Sequence, residues 1–290
     1  MKKLQHLGEY LLVRLWLAIL ACLPLKWASF ITSKIFIFVG RIIKASKIAD
    51  QNLQMVFPKL NITQRKEIIT QVWSNLGYMV AEIPYLLALP KEKFDKYVIL
   101  KGEEHIKPFV GKRIIICGAH LANWELIGKT IAHCNSKLSA VYREANNKLV
   151  NKLVNDLRET GVDGKLIPKG TLGAKLIIKA LQNDEIVCML LDQRMDAGIK
   201  VPFLGHDAMT ASAAADLSIK YECPIIPIQV IRYDNSNFEV VVHPAVEFKN
   251  RSAKEIMLEV NNLMGEWIKA NPGQWFWLHR RWLIRKANKL

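Results

Sequence analysis

Acidic residues are scarce in this 290-residue chain: 26 Asp and Glu stand against 41 Lys and Arg, a formal net charge of +15. Such an imbalance points to an anionic partner, whether nucleic acid, an acidic protein or a phosphate-bearing membrane. Nothing in the sequence is a recognised nucleic-acid module, so no nucleic-acid partner is expected. Cysteine is also sparse. The five residues (Cys22, Cys117, Cys134, Cys188, Cys223) form an odd set with no C-x-x-C pair and no metal-ligand spacing. They read as free thiols in a reducing compartment, without a disulfide framework or a metal site. Internal repeats, low-complexity tracts and Gly/Ser linkers are absent too, so no composition shift marks a seam between modules. About half of the residues (51%) are hydrophobic, which excludes wholesale disorder and is ample for one α/β core.

Long apolar runs are almost lacking, with one exception at the N-terminus. Residues Tyr10 to Leu25 read YLLVRLWLAILACLPL, and Arg14 is the only charge. Sixteen residues at ~1.5 Å each span about 24 Å, short of a ~30 Å hydrocarbon core. A tilted span and a helix lying in the interface both fit. A cleaved signal peptide fits poorly, because no small-x-small exit follows and Pro24 leads into Lys26 and Trp27. A second apolar stretch, Ala28 to Val39, carries only Lys34. Around and beyond it Lys26, Arg41, Lys44, Lys47 and Lys59 face the single acid Asp50. If the first run spans, this basic band puts the rest of the chain on the cytoplasmic side. The band would be drawn to an anionic membrane surface in either case.

The periodicity of Ile68, Val72, Leu76, Met79, Val80 and Ile83 predicts a helix over Gln64 to Leu89, with Thr63 as cap and Pro90 as stop. Beyond Lys101 short β-rich runs alternate with helical ones. Strands are predicted at 113–117, 137–142, 186–191, 225–231 and 238–242, and helices at 124–134, 147–160, 172–182 and 212–221. This alternation predicts an α/β fold, a mixed central sheet flanked by helices, with the last two strands forming an antiparallel hairpin. The expected organisation is an N-terminal hydrophobic membrane-anchoring helix with a basic juxtamembrane helix (1–45), a helical region packing on the core (46–100) and an α/β catalytic domain (101–290).

The sharpest local feature is the run IIICGAHLANWE from Ile114 to Glu125. A buried strand leads through Gly118 into a turn holding His120, and Asn123 is placed to cap the helix that follows. Five positions on one straight helix lie about 140° apart, so His120 and Glu125 meet only if His120 sits in the turn. Glu125 could then fix the imidazole tautomer and leave the other ring nitrogen free as a general base for a hydroxyl. The same residues could equally form a plain cap with no chemistry. Cys117 is a rival nucleophile, but a thiol inside the apolar run would react poorly.

HLANWE resembles the H-x-x-x-x-[DE] motif of the lysophospholipid-acyltransferase superfamily. Further blocks resemble the lauroyl/myristoyl acyltransferases of lipid A biosynthesis. They are VYREANN from Val141 to Asn147, LDQR from Leu191 to Arg194, VPFLG from Val201 to Gly205 with Thr210, and QWFWLHRRW from Gln274 to Trp282. Met195 after LDQR and the short stretch from Lys200 to His206 depart from that pattern. The resemblance implies transfer of a fatty acyl group from acyl carrier protein to a hydroxyl of a lipid A precursor, with the thioester as co-substrate and no cofactor. It implies a bacterial inner-membrane enzyme without a covalent acyl-enzyme, using His120 as base oriented by Glu125. Arg143 and Arg194, at predicted strand ends, are then candidates for an oxyanion or a lipid phosphate. Asp192 is expected to pair with one of them, and Asn123 to shape the turn on the substrate side. The interleaved Trp275, Trp277, Trp282, His279, Arg280 and Arg281 suit a membrane interface. A glycerolipid acyltransferase and a non-catalytic basic membrane-surface protein are the competing readings.

Overall fold

The computed structural model describes residues 2–87, 89–134, 137–159 and 164–283. Four helices come first: α1 (Lys2–Ala21), α2 (Leu25–Gly40), α3 (Ala45–Val56) and α4 (Ile62–Leu86). The cap of α4 is Asn61 rather than Thr63. Its side chain accepts from the Gln64 backbone at 3.0 Å, and Gln64 Oε1 accepts from the Asn61 backbone at 2.9 Å. This reciprocal pair satisfies two amides that the helix leaves open, so the helix begins earlier than its apolar periodicity indicated. It ends at Leu86, before Pro90.

The remainder alternates strand and helix: β1 (Val98–Lys101), β2 (Ile114–Gly118), α5 (Leu126–His133), β3 (Leu138–Tyr142), α6 (Lys148–Glu159), β4 (Gly164–Pro168), α7 (Thr171–Gln182) and β5 (Ile186–Leu190). A short hairpin follows, β6 (Ile199–Phe203) with β7 (His206–Thr210), and then α8 (Ala213–Tyr221), β8 (Ile225–Asp234), β9 (Asn237–Val242) and α9 (Ala253–Ala270). The predicted end of α6, Thr160, lies outside the described residues.

Seven strands form one mixed sheet in the order β1-β9-β8-β2-β5-β3-β4. All neighbours run parallel except β8 and β9, which form the expected antiparallel hairpin. All five residues of β2 are buried, as expected of a central parallel strand covered on both faces. Its side chains alternate between two cores. Ile115 and Cys117 face a cluster with α9 and the C-terminal tryptophans, whereas Ile114 and Ile116 face one built with α5. Gly118 ends the strand where a Cβ would lie 2.4 Å from Ile127 Cδ1, so a side chain there would force the Ile127 side chain of α5 to move.

The C-terminal aromatic–basic segment is core, not membrane interface. Trp275, Trp277, Trp282 and Arg281 are all buried. Arg281 donates to Met209 O at 2.7 Å and Thr210 Oγ1 at 2.8 Å and lies over the Phe203 ring. Those two hydrogen bonds and the Phe203 ring hold the guanidinium inside the protein, and the indoles around it close one face of the sheet.

Candidate active site

Strand register assembles the site. In the β2–β5 pair Gly118 stands opposite Leu190, and Leu191 N donates to Gly118 O at 3.0 Å. Two residues beyond each partner come His120 and Asp192, so the sheet brings together side chains 72 positions apart. They sit at the C-terminal ends of parallel strands, where an α/β sheet leaves its crevice. His120 Nδ1 and Asp192 Oδ1 are 2.7 Å apart. The other carboxylate oxygen accepts from the His120 backbone N–H at 2.9 Å and from Trp275 Nε1 at 2.7 Å. Burial opposes a charge on Asp192, yet the facing His120, through its charge and its two hydrogen bonds, and the charge of His279 hold the carboxyl below the ordinary carboxylate range.

This arrangement sets the imidazole tautomer. A carboxylate facing Nδ1 accepts a hydrogen bond from the N–H there, so the ring proton sits on Nδ1 and Nε2 carries the lone pair. Gln193 Nε2 faces that atom at 3.3 Å and can donate to it. Trp124 packs edge-on to the imidazole with centroids 5.0 Å apart, and Phe276 lies on it at 6.3 Å. The turn itself is clamped. Ala122, at φ 50°, donates its N–H to Gln274 O, and Phe276 N donates to His120 O. Asn123 does not cap α5. Its amide donates to the buried Glu82 at 3.0 Å, and Glu82 forms a two-pronged ion pair with Arg232. Glu125 occupies the cap position, without a side-chain cap bond.

Glu125 does not contact the imidazole. Arg158 of α6 grips its carboxylate with Nε at 2.9 Å and Nη2 at 2.5 Å. Burial disfavours charge on Arg158, but the Glu125 partnership outweighs it and raises the pKa. The carboxylate that faces the imidazole is therefore Asp192, and Glu125 instead pairs with a guanidinium. Asp192 meets neither predicted arginine: Arg194 pairs with Asp196, while Arg143 is exposed and has no acidic partner among the described residues.

A cavity of about 590 Å³ opens beside His120. Its wall includes Glu125, Arg143, Arg158, Lys169 and Arg194, and it follows β3 from Tyr142 down to Leu138. Four strand spacings of ~3.3 Å make that stretch about 13 Å long. Apolar Ala140, Leu166, Ile177 and Leu190 face it. Arg143 and Lys169 directly follow the paired ends of β3 and β4, Tyr142 and Pro168. Burial and then the Arg143 charge lower the Lys169 pKa, the response expected of two cations held close together. Neither Arg158 nor Lys169 was singled out in the sequence. The signal for Lys169 was its position just after a short strand. Cys117 is fully buried and its thiol pKa is raised by that burial, which argues against a thiolate nucleophile. Cys188, on the cavity wall, is pushed up to about 12 for the same reason.

A model of the bacterial lipid A biosynthesis acyltransferases matches residues 1–284. The chain belongs to that family. It is similar to the lipid A biosynthesis palmitoleoyltransferase of Escherichia coli, with 24% identity over 254 residues, 85% of this chain and 81% of that protein. It also resembles the lipid A biosynthesis lauroyltransferase of the same organism, at 23% over 249 residues and covering 83% and 80%. A lipid A biosynthesis acyltransferase of Haemophilus influenzae is 25% identical over 254 residues, 85% and 80% of the two chains. Membership makes the chain an acyltransferase and sets aside a non-catalytic binding protein. It also implies a lipid A precursor as substrate.

Proposed function

We propose that this acyltransferase moves a fatty acyl group of lauroyl/myristoyl type from an acyl carrier protein thioester directly to a hydroxyl of a lipid A precursor. His120 Nε2 takes the hydroxyl proton, and the oxygen attacks the thioester carbonyl. The tetrahedral intermediate collapses to the new ester and expels the carrier thiolate, which receives the proton back from His120. Asp192 orients the ring and stabilises the imidazolium formed on the way. The observation that carries this reading is the Asp192–His120 pair, which leaves the Nε2 lone pair, met by the Gln193 amide, at the wall of the cavity. Arg158, held still by Glu125, is the donor preorganised for the oxyanion. Arg143 and Lys169 take a phosphate of the acceptor. The length of the cavity along β3 favours a medium acyl chain.

The basic residues from Lys26 to Lys59 draw the enzyme to anionic headgroups, which fits the cytoplasmic leaflet of a bacterial inner membrane. Among the described residues one helix, α1, is long and apolar enough to cross a membrane. Purified enzyme with acyl carrier thioester and a lipid A precursor tests the reading. His120→Ala should remain folded and lose transfer by roughly 10²–10⁴-fold, the scale of a missing general base. Near-normal turnover in that variant would sink the mechanism.

A further inference from the structure

The first helix has the length of a membrane span, about 30 Å for its 20 residues at ~1.5 Å each, but both of its ends are fastened to the α/β body. Near its start, Asn147 Nδ2 donates to His6 O and to Glu9 Oε2, each at 2.8 Å. Asn147 is buried, and its own Oδ1 accepts from Leu149 N and Val150 N at the start of α6, so it belongs rigidly to the catalytic body. Near its finish, the Tyr85 hydroxyl of α4 is bonded to the carbonyls of Leu20 and Leu23. Between these ties Tyr10, Val13, Trp16 and Leu17 are partly covered and Leu20 is buried, one stripe at three- and four-residue steps. From residue 6 to residue 20 the axis advances ~21 Å along the protein surface. A helix that crosses a bilayer must leave the domain at one end, and α1 leaves it at neither.

Its other face is bare hydrocarbon: Leu4, Leu7, Leu11, Leu15 and Ile19 are all exposed. Continuing that surface, α2 inverts the usual order of a surface helix. Ala28, Ser29, Thr32 and Ser33 are buried against α4, where Gly77 sits so close that a Cβ would come within 2.6 Å of Ser33 Cα. The large side chains Trp27, Phe30, Ile31, Ile35 and Phe38 point away from the protein. Soluble helices turn such residues inward, and an apolar face this extensive marks a partner or a membrane. Its rim is basic, with Lys26, Lys34, Arg41 and Lys44 exposed and Lys34 lying 5.2 Å from the Phe30 ring. Two copies face to face would oppose like charges. Anionic headgroups complement them.

We propose that α1 and α2 form one in-plane platform whose outer faces enter a single leaflet of an anionic bilayer, and that α1 does not span it. This rests on the reading of the chain as an enzyme acting on membrane lipid, and it adds how the lipid arrives. The loop from Arg143 to Asn147 holds a cavity residue at one end and the α1 tether at the other. The acceptor therefore reaches His120 sideways, from the leaflet in which the platform lies.

Sidedness tests the platform. The full chain, with protease-removable tags before Met1 and after Leu290, is expressed in bacteria and collected in sealed inverted membrane vesicles. External protease should remove both tags without detergent, because both ends lie on one side. Loss of the C-terminal tag with protection of the N-terminal one until detergent is added would mean that α1 spans, and the proposal is overturned. A chain absent from the vesicles would overturn the membrane reading together with it. As a second measurement, Phe30→Asp/Phe38→Asp should bind phosphatidylethanolamine/phosphatidylglycerol vesicles at least tenfold more weakly, with melting temperature unchanged. Unaltered binding would remove α2 from the platform.

Discussion

Replacing Asp192 with Asn keeps the shape of the side chain and changes only what it can accept. Every neighbour of the native carboxylate is a donor: His120 Nδ1 on one oxygen, and His120 N with Trp275 Nε1 on the other. An amide offers one oxygen and one NH2. The oxygen does better facing the two fixed donors, since neither the backbone N–H nor the indole can reverse itself. The NH2 then faces Nδ1, and the imidazole must present a lone pair there and carry its proton on Nε2. That tautomer has no base toward the cavity, and it sets two N–H groups against each other at the Gln193 contact. The general-base contribution of ~10²–10⁴-fold in kcat should be lost, with acceptor KM little changed. If the amide turns the other way, two donors meet NH2 at a fully buried position. Each such mismatch costs about 1–3 kcal/mol, so the melting temperature should fall by several degrees, at ~2–4 °C per kcal/mol for a chain somewhat shorter than this one. Steady-state transfer kinetics of Asp192→Asn beside Glu125→Gln decide between the two carboxylates. Glu125→Gln weakens the Arg158 anchor but leaves the base in its working tautomer. A near-wild-type kcat for Asp192→Asn, with Glu125→Gln inactive, would refute Asp192 as the orienting group.

Three further outcomes follow from the same geometry. Cys117→Ala should keep most of its activity, and mass spectrometry should find no acylated enzyme with the thioester donor alone; a trapped acyl group would overturn direct transfer. Arg143→Lys should raise acceptor KM about tenfold with kcat nearly unchanged, because the contact is made in ground and transition states alike and only the fork is lost. A dephosphorylated acceptor should abolish that difference, and an equal effect on both acceptors would refute the phosphate contact. His243 is half-buried and stacked on Trp267, and burial, then the His105 charge, lowers its pKa. Its folded pKa lies below the unfolded value of ~6.5, so on acidification the unfolded chain takes up a proton that the folded one refuses, and stability falls. His243→Gln should lose less melting temperature than the wild type between pH 7.5 and 5.5; equal losses would remove His243 as the cause.

Why the sequence led to Glu125 and the structure to Asp192 is a matter of range. A motif such as HLANWE shows which residues are near one another along the chain, and within that window Glu125 is the only acid that could serve His120. The true neighbour is chosen by the register of β2 against β5, a long-range property carried by two buried apolar strands whose side chains do not encode alignment individually. The strands themselves were legible, because both read as continuous apolar runs, and their ends were placed to within a residue. Had the pairing been assumed, counting two residues beyond each end would have put His120 beside Asp192. The aromatic–basic C-terminus failed for a related reason. Indoles beside guanidiniums satisfy a membrane interface and a polar-lined core equally well, and contacts distant in sequence, among them Phe203, Thr210 and Asp192, select the core. The helix α9 went unpredicted although it carried a readable signal, Ser252 three residues before Glu255, the reciprocal cap seen in the structure. Arg158 had none. It is one of several half-buried polar residues on its helix, and its partner Glu125 already had a plausible local use. Such a site is legible as a set of strand ends, and the assignment of partners among them belongs to the sheet.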